Sequence, residues 1–256
     1  EPGIQGPKGD PASIIALFNL LRTGKVYTVK FPLWNTSNTS IGEKLDSNTG
    51  IVCLPSTARE NRQNDYDNIP LFRTYDCNAH VTNDCERVID AIKGQNSFKD
   101  TGKNDVFVLG MSYYEKTWIK DGYWYYSRTD LPREGYTLAA ECRTKSGEDQ
   151  GYALYGKYVV GIDGIVYSSK GLIPARYIIG APAGKSVGLS YTGCITEFKK
   201  KGKYYTGGIL ADYKYILTTF YLMFATLNTQ SVMSGCSNFN VQNINLVAEE
   251  NTNRII

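Results

Sequence analysis

The chain has 256 residues, 42% of them hydrophobic, and a net charge of +3 from 28 Lys+Arg against 25 Asp+Glu. That length can bury a sizeable core, and that composition excludes a disordered chain. The balanced charge, with no basic stripe, excludes a surface for nucleic acid or another polyanion.

The chain opens on Gly3-Ile-Gln-Gly6-Pro-Lys-Gly9-Asp-Pro, three consecutive Gly-X-Y triplets. Only glycine fits the crowded axis of a triple helix, so residues 1–11 read as the end of a collagen-like stalk and predict a homotrimer. Residues 12–24 read as a short trimerising helix, with Ser13 as N-cap and Gly24 just past its end. Ile14, Leu17, Phe18 and Leu21 share one face. A three-helix junction at the stalk or docking on the chain's own head would hide that face equally well.

From Lys25 the pattern turns to strands. Val26–Phe31 alternates, Ile51–Leu54 is a short apolar run, and Ile69–Tyr75 is a further candidate. Glu86–Ile92 fits a strand or a helical turn, and Val106–Leu109 reads as buried. Trp118 and Trp124 lie among tyrosines in two strands joined at Asp121-Gly122, a strong hairpin signal. A second hairpin is expected from Tyr152–Val160 to Val166-Tyr167, turning at Gly161–Gly164. Asp212 to Asn228 predicts one long helix, and the charges within Ile209–Leu227 exclude a bilayer span. The expected fold class is α+β with mainly antiparallel strands. Polar residues at 94–104 suggest a boundary between a β-rich subdomain, 25–104, and an α+β domain, 105–256. The end at Arg254-Ile-Ile256 reads as a truncation within an element.

Twenty tyrosines suit a wet recognition surface, and suit β-rich folds in general. Lys199-Lys200-Lys201 with Lys203, followed by Tyr204-Tyr205, reads as a solvated hairpin tip. Six cysteines, at 53, 77, 85, 142, 194 and 236, include no paired motif, and His80 is the one histidine. No zinc site follows, and free thiols are expected, although Cys77 and Cys85 are close enough in sequence to meet across a turn.

No nucleophile motif surrounds His80. Gly180-Ala-Pro-Ala-Gly-Lys-Ser186 departs from a phosphate loop in spacing and in Pro182. Asp65-Tyr-Asp-Asn68 reads as a turn, without the spacing of a calcium loop. Paired carboxylates acting on a glycosidic bond remain an open alternative, with Glu115, Asp121, Glu141 and Asp163 as indistinguishable candidates. Asn35 and Asn38 head Asn-Thr-Ser sequons that turn residues explain as well. No catalytic residue, metal or cofactor is expected.

Four passages, Val26–Trp34, Ile69–Cys77, Tyr155–Asp163 and Phe224–Cys236, together resemble tail or fibre proteins of phages and prophages of gut bacteria. The second half is similar to the C-type-lectin-like module, of the formylglycine-generating-enzyme type, found in phage adhesins. The resemblance implies a virion fibre whose trimeric, non-enzymatic head binds a bacterial surface glycan or protein, without membrane insertion. It places a structural helix at 212–228 and binding loops after it. Those loops carry Asn228, Asn238, Phe239, Asn240, Asn243 and Asn245, an adaptable polar-plus-aromatic mix, and Tyr204 and Tyr205 join them as candidates. The motifs of calcium-dependent sugar-binding lectins are absent. A tail-associated glycan hydrolase and a purely structural virion component are the alternatives.

Overall fold

A computed structural model describes residues 11–34, 41–54, 63–158, 160–163, 165–172 and 191–232. In chain order these form α1 (Pro11–Leu21), β1 (Val26–Pro32), β2 (Glu43–Asp46), β3 (Cys53–Leu54), β4 (Gln63–Asn64), β5 (Thr74–Val81) and β6 (Arg87–Ile92). Then follow β7 (Val106–Met111), β8 (Tyr114–Lys120), β9 (Tyr123–Thr129), β10 (Thr137–Leu138), β11 (Tyr152–Gly156), β12 (Gly161–Asp163) and β13 (Ile165–Tyr167). Two helices complete the series, α2 (Tyr191–Lys199) and α3 (Leu210–Phe224). The class is α+β, with antiparallel strand pairing throughout the sheets.

Five strands form one sheet in the order β10-β8-β9-β1-β2, and four form another in the order β11-β7-β5-β6. The chain crosses between them at Ser112 and Tyr113, both fully buried. The β8–β9 turn places Asp121 and Gly122 at φ 51° and 77°. Positive φ at both central residues is what a two-residue type I′ hairpin requires. That turn sets the register in which Trp118 faces Tyr125 and Ile119 faces Trp124.

Side chains alternate across a strand, so β1 sends Tyr27, Val29 and Phe31 to one face, where they pack beneath α3 with Tyr126, Leu222 and Met223. Phe31 stacks on Trp124 at 5.7 Å, and Tyr221 of α3 meets both rings edge-on. Arg128 of β9 shares this inner face and is fully buried. Its Nη1 and Nη2 donate to the hydroxyls of Thr219 and Thr218 on α3, each at 2.9 Å. The guanidinium lies 3.8 Å from the Tyr113 ring centre and 5.2 Å from that of Tyr215. Burying a cation is costly unless polar or π partners replace water. Two buried carboxylates stand one tyrosine away: Tyr126 donates to Glu115 at 3.0 Å, and Tyr113 donates to Glu141.

α1 docks on the other sheet. Ile14 and Phe18 are buried against Cys77, Ala79, Ile89, Leu109 and Met111. Beyond the helix, the Thr23 and Gly24 amides donate to the buried Asp130 carboxylate at 2.8 and 2.7 Å, and Arg22 donates to Ser112 at 2.7 Å. Helix α3 begins where the Asp212 carboxylate accepts the Ile209 amide at 2.9 Å, and ends with Ala225 at φ 49°.

Several expectations are corrected. Ser13 is inside α1, not its N-cap; the helix starts at Pro11, whose fixed φ suits a first helical position. Residues 69–73 are turns following a 3-10 helix at Asp65–Asn68, because Asn64 caps that turn and Phe72 and Arg73 donate back to Ile69; the strand begins at Thr74. Tyr152–Gly156 pairs with β7, so the neighbouring hairpin is only β12–β13. Lys199 ends α2 instead of forming a hairpin tip, and Lys201 pairs with Asp105 out of solvent. Both sheets take strands from either side of residues 94–104, where the Asn78 side chain holds the Lys99 and Asp105 carbonyls at 2.7 and 2.8 Å. That segment is therefore a loop pinned inside one fold. The free thiols expected at Cys77 and Cys85 are, by contrast, what the structure has.

Replacing Arg128 with alanine leaves a cavity and two stranded hydroxyls, and is expected to lower stability by about 3 kcal/mol, read as a lowered urea midpoint. A second expectation concerns alkali. Burial raises the phenols of Tyr66, Tyr113, Tyr126 and Tyr155 above 10.0 and pushes Tyr215 up to about 12. Unfolded tyrosines ionise near 10, so the stability from these groups is complete below that pH and is lost as pH rises through the folded values. Urea midpoints should stay level to about pH 9.5 and then fall steeply, with buried-tyrosinate absorbance appearing only on unfolding.

Candidate functional site

The face of the five-stranded sheet opposite Arg128 is turned away from α3. Cross-strand partners share a face, so Lys30 of β1, Lys116 and Trp118 of β8, and Tyr123, Tyr125 and Ser127 of β9 lie together there. Trp118 and Tyr125 stack with ring centres 4.8 Å apart and planes 9° off parallel. Tyr123 continues the row at 6.5 Å from Tyr125, with Lys30 Nζ 5.0 Å from its ring centre. All three rings are only half-buried.

One end of this row opens into a groove of about 630 Å³, lined among others by Lys25, Asp46, Lys116, Trp118, Arg133, Glu134 and Tyr136. Lys116 Nζ lies 5.3 Å from the Trp118 ring centre and 5.9 Å from that of Tyr136. Beneath the groove runs a hydroxyl chain: Thr28 donates to Asp46 Oδ2 at 2.5 Å, and Ser127 meets Thr28 at 2.8 Å and Tyr136 at 2.7 Å. A hydroxyl has one proton. Thr28 gives its proton to Asp46, so Ser127 donates to Thr28 and Tyr136 donates to Ser127. The Tyr136 oxygen is left able only to accept. The groove therefore combines a flat aromatic face, three cations, two carboxylates and one acceptor-only phenol oxygen.

Of the residues expected from sequence to form the binding face, only Tyr204, Tyr205 and Asn228 are described, and they have different partners. Tyr205 is half-buried; its hydroxyl accepts the Val81 amide at the end of β5 at 3.1 Å, which ties it to the four-stranded sheet. Tyr204 sits between Lys145 and Lys203, 6.0 and 5.2 Å from its ring centre. Asn228 follows α3, where its carbonyl accepts the Ser231 hydroxyl at 2.7 Å. Asn238, Phe239, Asn240, Asn243 and Asn245 lie outside the described residues, as do residues 1–10 with all of the Gly-X-Y triplets but Pro11, Asn35, Asn38 and the Gly180–Ser186 loop. Trp118, Tyr125 and Tyr136 were not singled out as binding residues, although the hairpin register places the first two on one face.

Groups with possible chemistry are engaged elsewhere. His80 faces Asp90 at 2.8 Å in an exposed pair. Glu115 holds Tyr126 and Lys214 beneath α3, and Glu141 holds Tyr113 in the core. Asp121 is at a hairpin tip. Asp65 accepts the Val52 amide, and Asp67 accepts the Asn64 side chain, so both carboxylates serve the turn. Among the described residues, no three His, Cys, Asp or Glu side chains converge, and no helix is long and apolar enough to cross a membrane.

Comparison with models of known protein families, with curated proteins and with solved structures finds no match.

Burial pushes the Cys77 thiol up to about 12 and raises that of Cys142, so neither is a ready nucleophile. At pH near 8 both should resist iodoacetamide in the folded chain while half-buried Cys85 reacts, with peptide mass spectrometry as the readout.

Proposed function

We propose that the chain is the non-enzymatic head of a homotrimeric fibre that attaches to a bacterial surface receptor, with the glycan class as first choice. The observation that carries this is the Trp118–Tyr125–Tyr123 row running into the Tyr136 groove. A sugar ring stacks its C–H face on an aromatic side chain, and its hydroxyls donate to an acceptor-only oxygen or bridge charged side chains. Rigid aromatics give contact area at low entropic cost. The Gly-X-Y triplets support the stalk and the three-fold assembly. The resemblance to phage and prophage tail fibres supports a virion setting.

The test is retention of the head on gut-bacterial cell surfaces and glycan arrays, with Trp118→Ala and Tyr136→Phe alongside. Trp118→Ala should weaken retention at least about 10-fold and leave the urea midpoint near that of the parent, since the ring is half-exposed. Undiminished retention by Trp118→Ala would sink the groove as the binding face. Release of shortened oligosaccharides would replace attachment with hydrolysis.

A further inference from the structure

Helix α1 has two apolar faces, and the head covers only one of them. Ile14 and Phe18 are 7% and 1% exposed against the four-stranded sheet, whereas Leu17 and Leu20 are 42% and 83% exposed. At 100° per residue, Leu17 and Leu20 stand about 60° apart on the flank of the helix beside the docked face. Leucines three apart on an exposed helix match the spacing of a helix–helix seam.

The sequence names what can cover them. Pro11 is both the Y residue of the third Gly-X-Y triplet, Gly9-Asp10-Pro11, and the first residue of α1. In sequence, no residue separates the last triplet from α1. Three chains in a triple helix run side by side about one axis, so three copies of α1 must start together where the triplets stop. At 1.5 Å per residue, Leu17 and Leu20 lie about 9 and 14 Å along the helix from that point. Three copies are thus held within reach at the level where each exposes two leucines.

We propose that the Leu17–Leu20 edge of α1 is the seam between three copies of this chain, and that it couples the stalk to the heads. This rests on reading the triplets as a triple helix. Ile14 and Phe18 fasten each helix to its own head, while Leu17 and Leu20 fasten the helices to one another. The Asp130 carboxylate, holding the Thr23 and Gly24 amides, then transmits the orientation of the seam to β9 and its aromatic row. The leucines add adhesion at the point where the triplets end and help bring the stalk ends into register.

The test is light scattering of the full chain and of Leu17→Glu/Leu20→Glu at micromolar concentration. The parent should scatter as three times 28.5 kDa and the double variant as a single chain. The variant's circular dichroism should match the parent's, and its urea midpoint should be lower than that of the trimeric parent and independent of protein concentration, because only the stabilisation from association is lost. A trimeric double variant overturns the seam and leaves the stalk reading standing. A monomeric parent also overturns the seam; the parent lengthened by ten Gly-Pro-Pro triplets at its N-terminus then decides the stalk separately. If that lengthened chain trimerises, the stalk reading survives without the seam. If it remains monomeric, three heads do not fit around one triple helix and both readings fall.

Discussion

A buried guanidinium that touches no carboxylate among the described residues is the constraint around which this fold is arranged. Arg128 is held by the faces of Tyr113 and Tyr215 and by two threonine hydroxyls, while Glu115 and Glu141 accept hydrogen bonds from the hydroxyls of Tyr126 and Tyr113 around it. The positive charge is thus offset at one remove, through polarised phenols, in a region where water is excluded. The arrangement is directional. A planar fork whose two arms reach adjacent residues of α3 fixes how that helix lies across the sheet, which dispersion among Leu222, Met223 and Phe31 alone would leave looser.

The consequences spread along a single strand. β9 is the middle strand of its sheet, and the residues from Tyr123 to Asp130 divide between three tasks. Tyr123, Tyr125 and Ser127 face out and build the aromatic row and the hydroxyl chain. Trp124, Tyr126 and Arg128 face in and secure α3. Asp130, just past the strand, accepts the amides that follow α1. Alternation of side chains makes the first two tasks compatible, because each residue is committed to one face. The outer face is consequently stiff: its rings stand on a strand locked from beneath, and its hydroxyls are already paired. A pre-organised surface loses little entropy on binding, which suits recognition of weakly binding, repeated surface groups.

Much of this was legible in advance, and the failures have physical causes. Asp121-Gly122 announced the hairpin, and a two-residue turn fixes register, so the pairing of Trp118 with Tyr125 follows by counting outward from it. Residues 69–73 depart from the expected strand because Asn64 caps the 3-10 turn before them and Phe72 and Arg73 donate back to Ile69, which outweighs the β-propensity of Ile69 and Phe72. The reading at 199–203 failed because a lysine run looks solvated whether it ends a helix or tips a hairpin, and because Lys201 finds Asp105 only through the tertiary fold. Polar residues at 94–104 looked like a boundary for a similar reason: composition registers a loop and is blind to the Asn78 side chain that pins it. The resemblance places Asn228 in a binding loop, with Tyr204 and Tyr205 as further candidates, yet the three have different partners in the fold.

By itself the sequence determined the α+β class and the antiparallel hairpin of β8 and β9 with its register. Both depend on local covalent geometry: turn dihedrals and strand alternation. Only the tertiary structure decided that β1 joins β9, that Arg128 is the centre of the core, and that Tyr136 swings over Ser127 to close the hydroxyl chain. It likewise decided which leucines of α1 the head covers and which it leaves out. Those outcomes join residues roughly a hundred positions apart, for example Thr28 with Ser127 and Arg128 with Thr219, through contacts that no local pattern encodes.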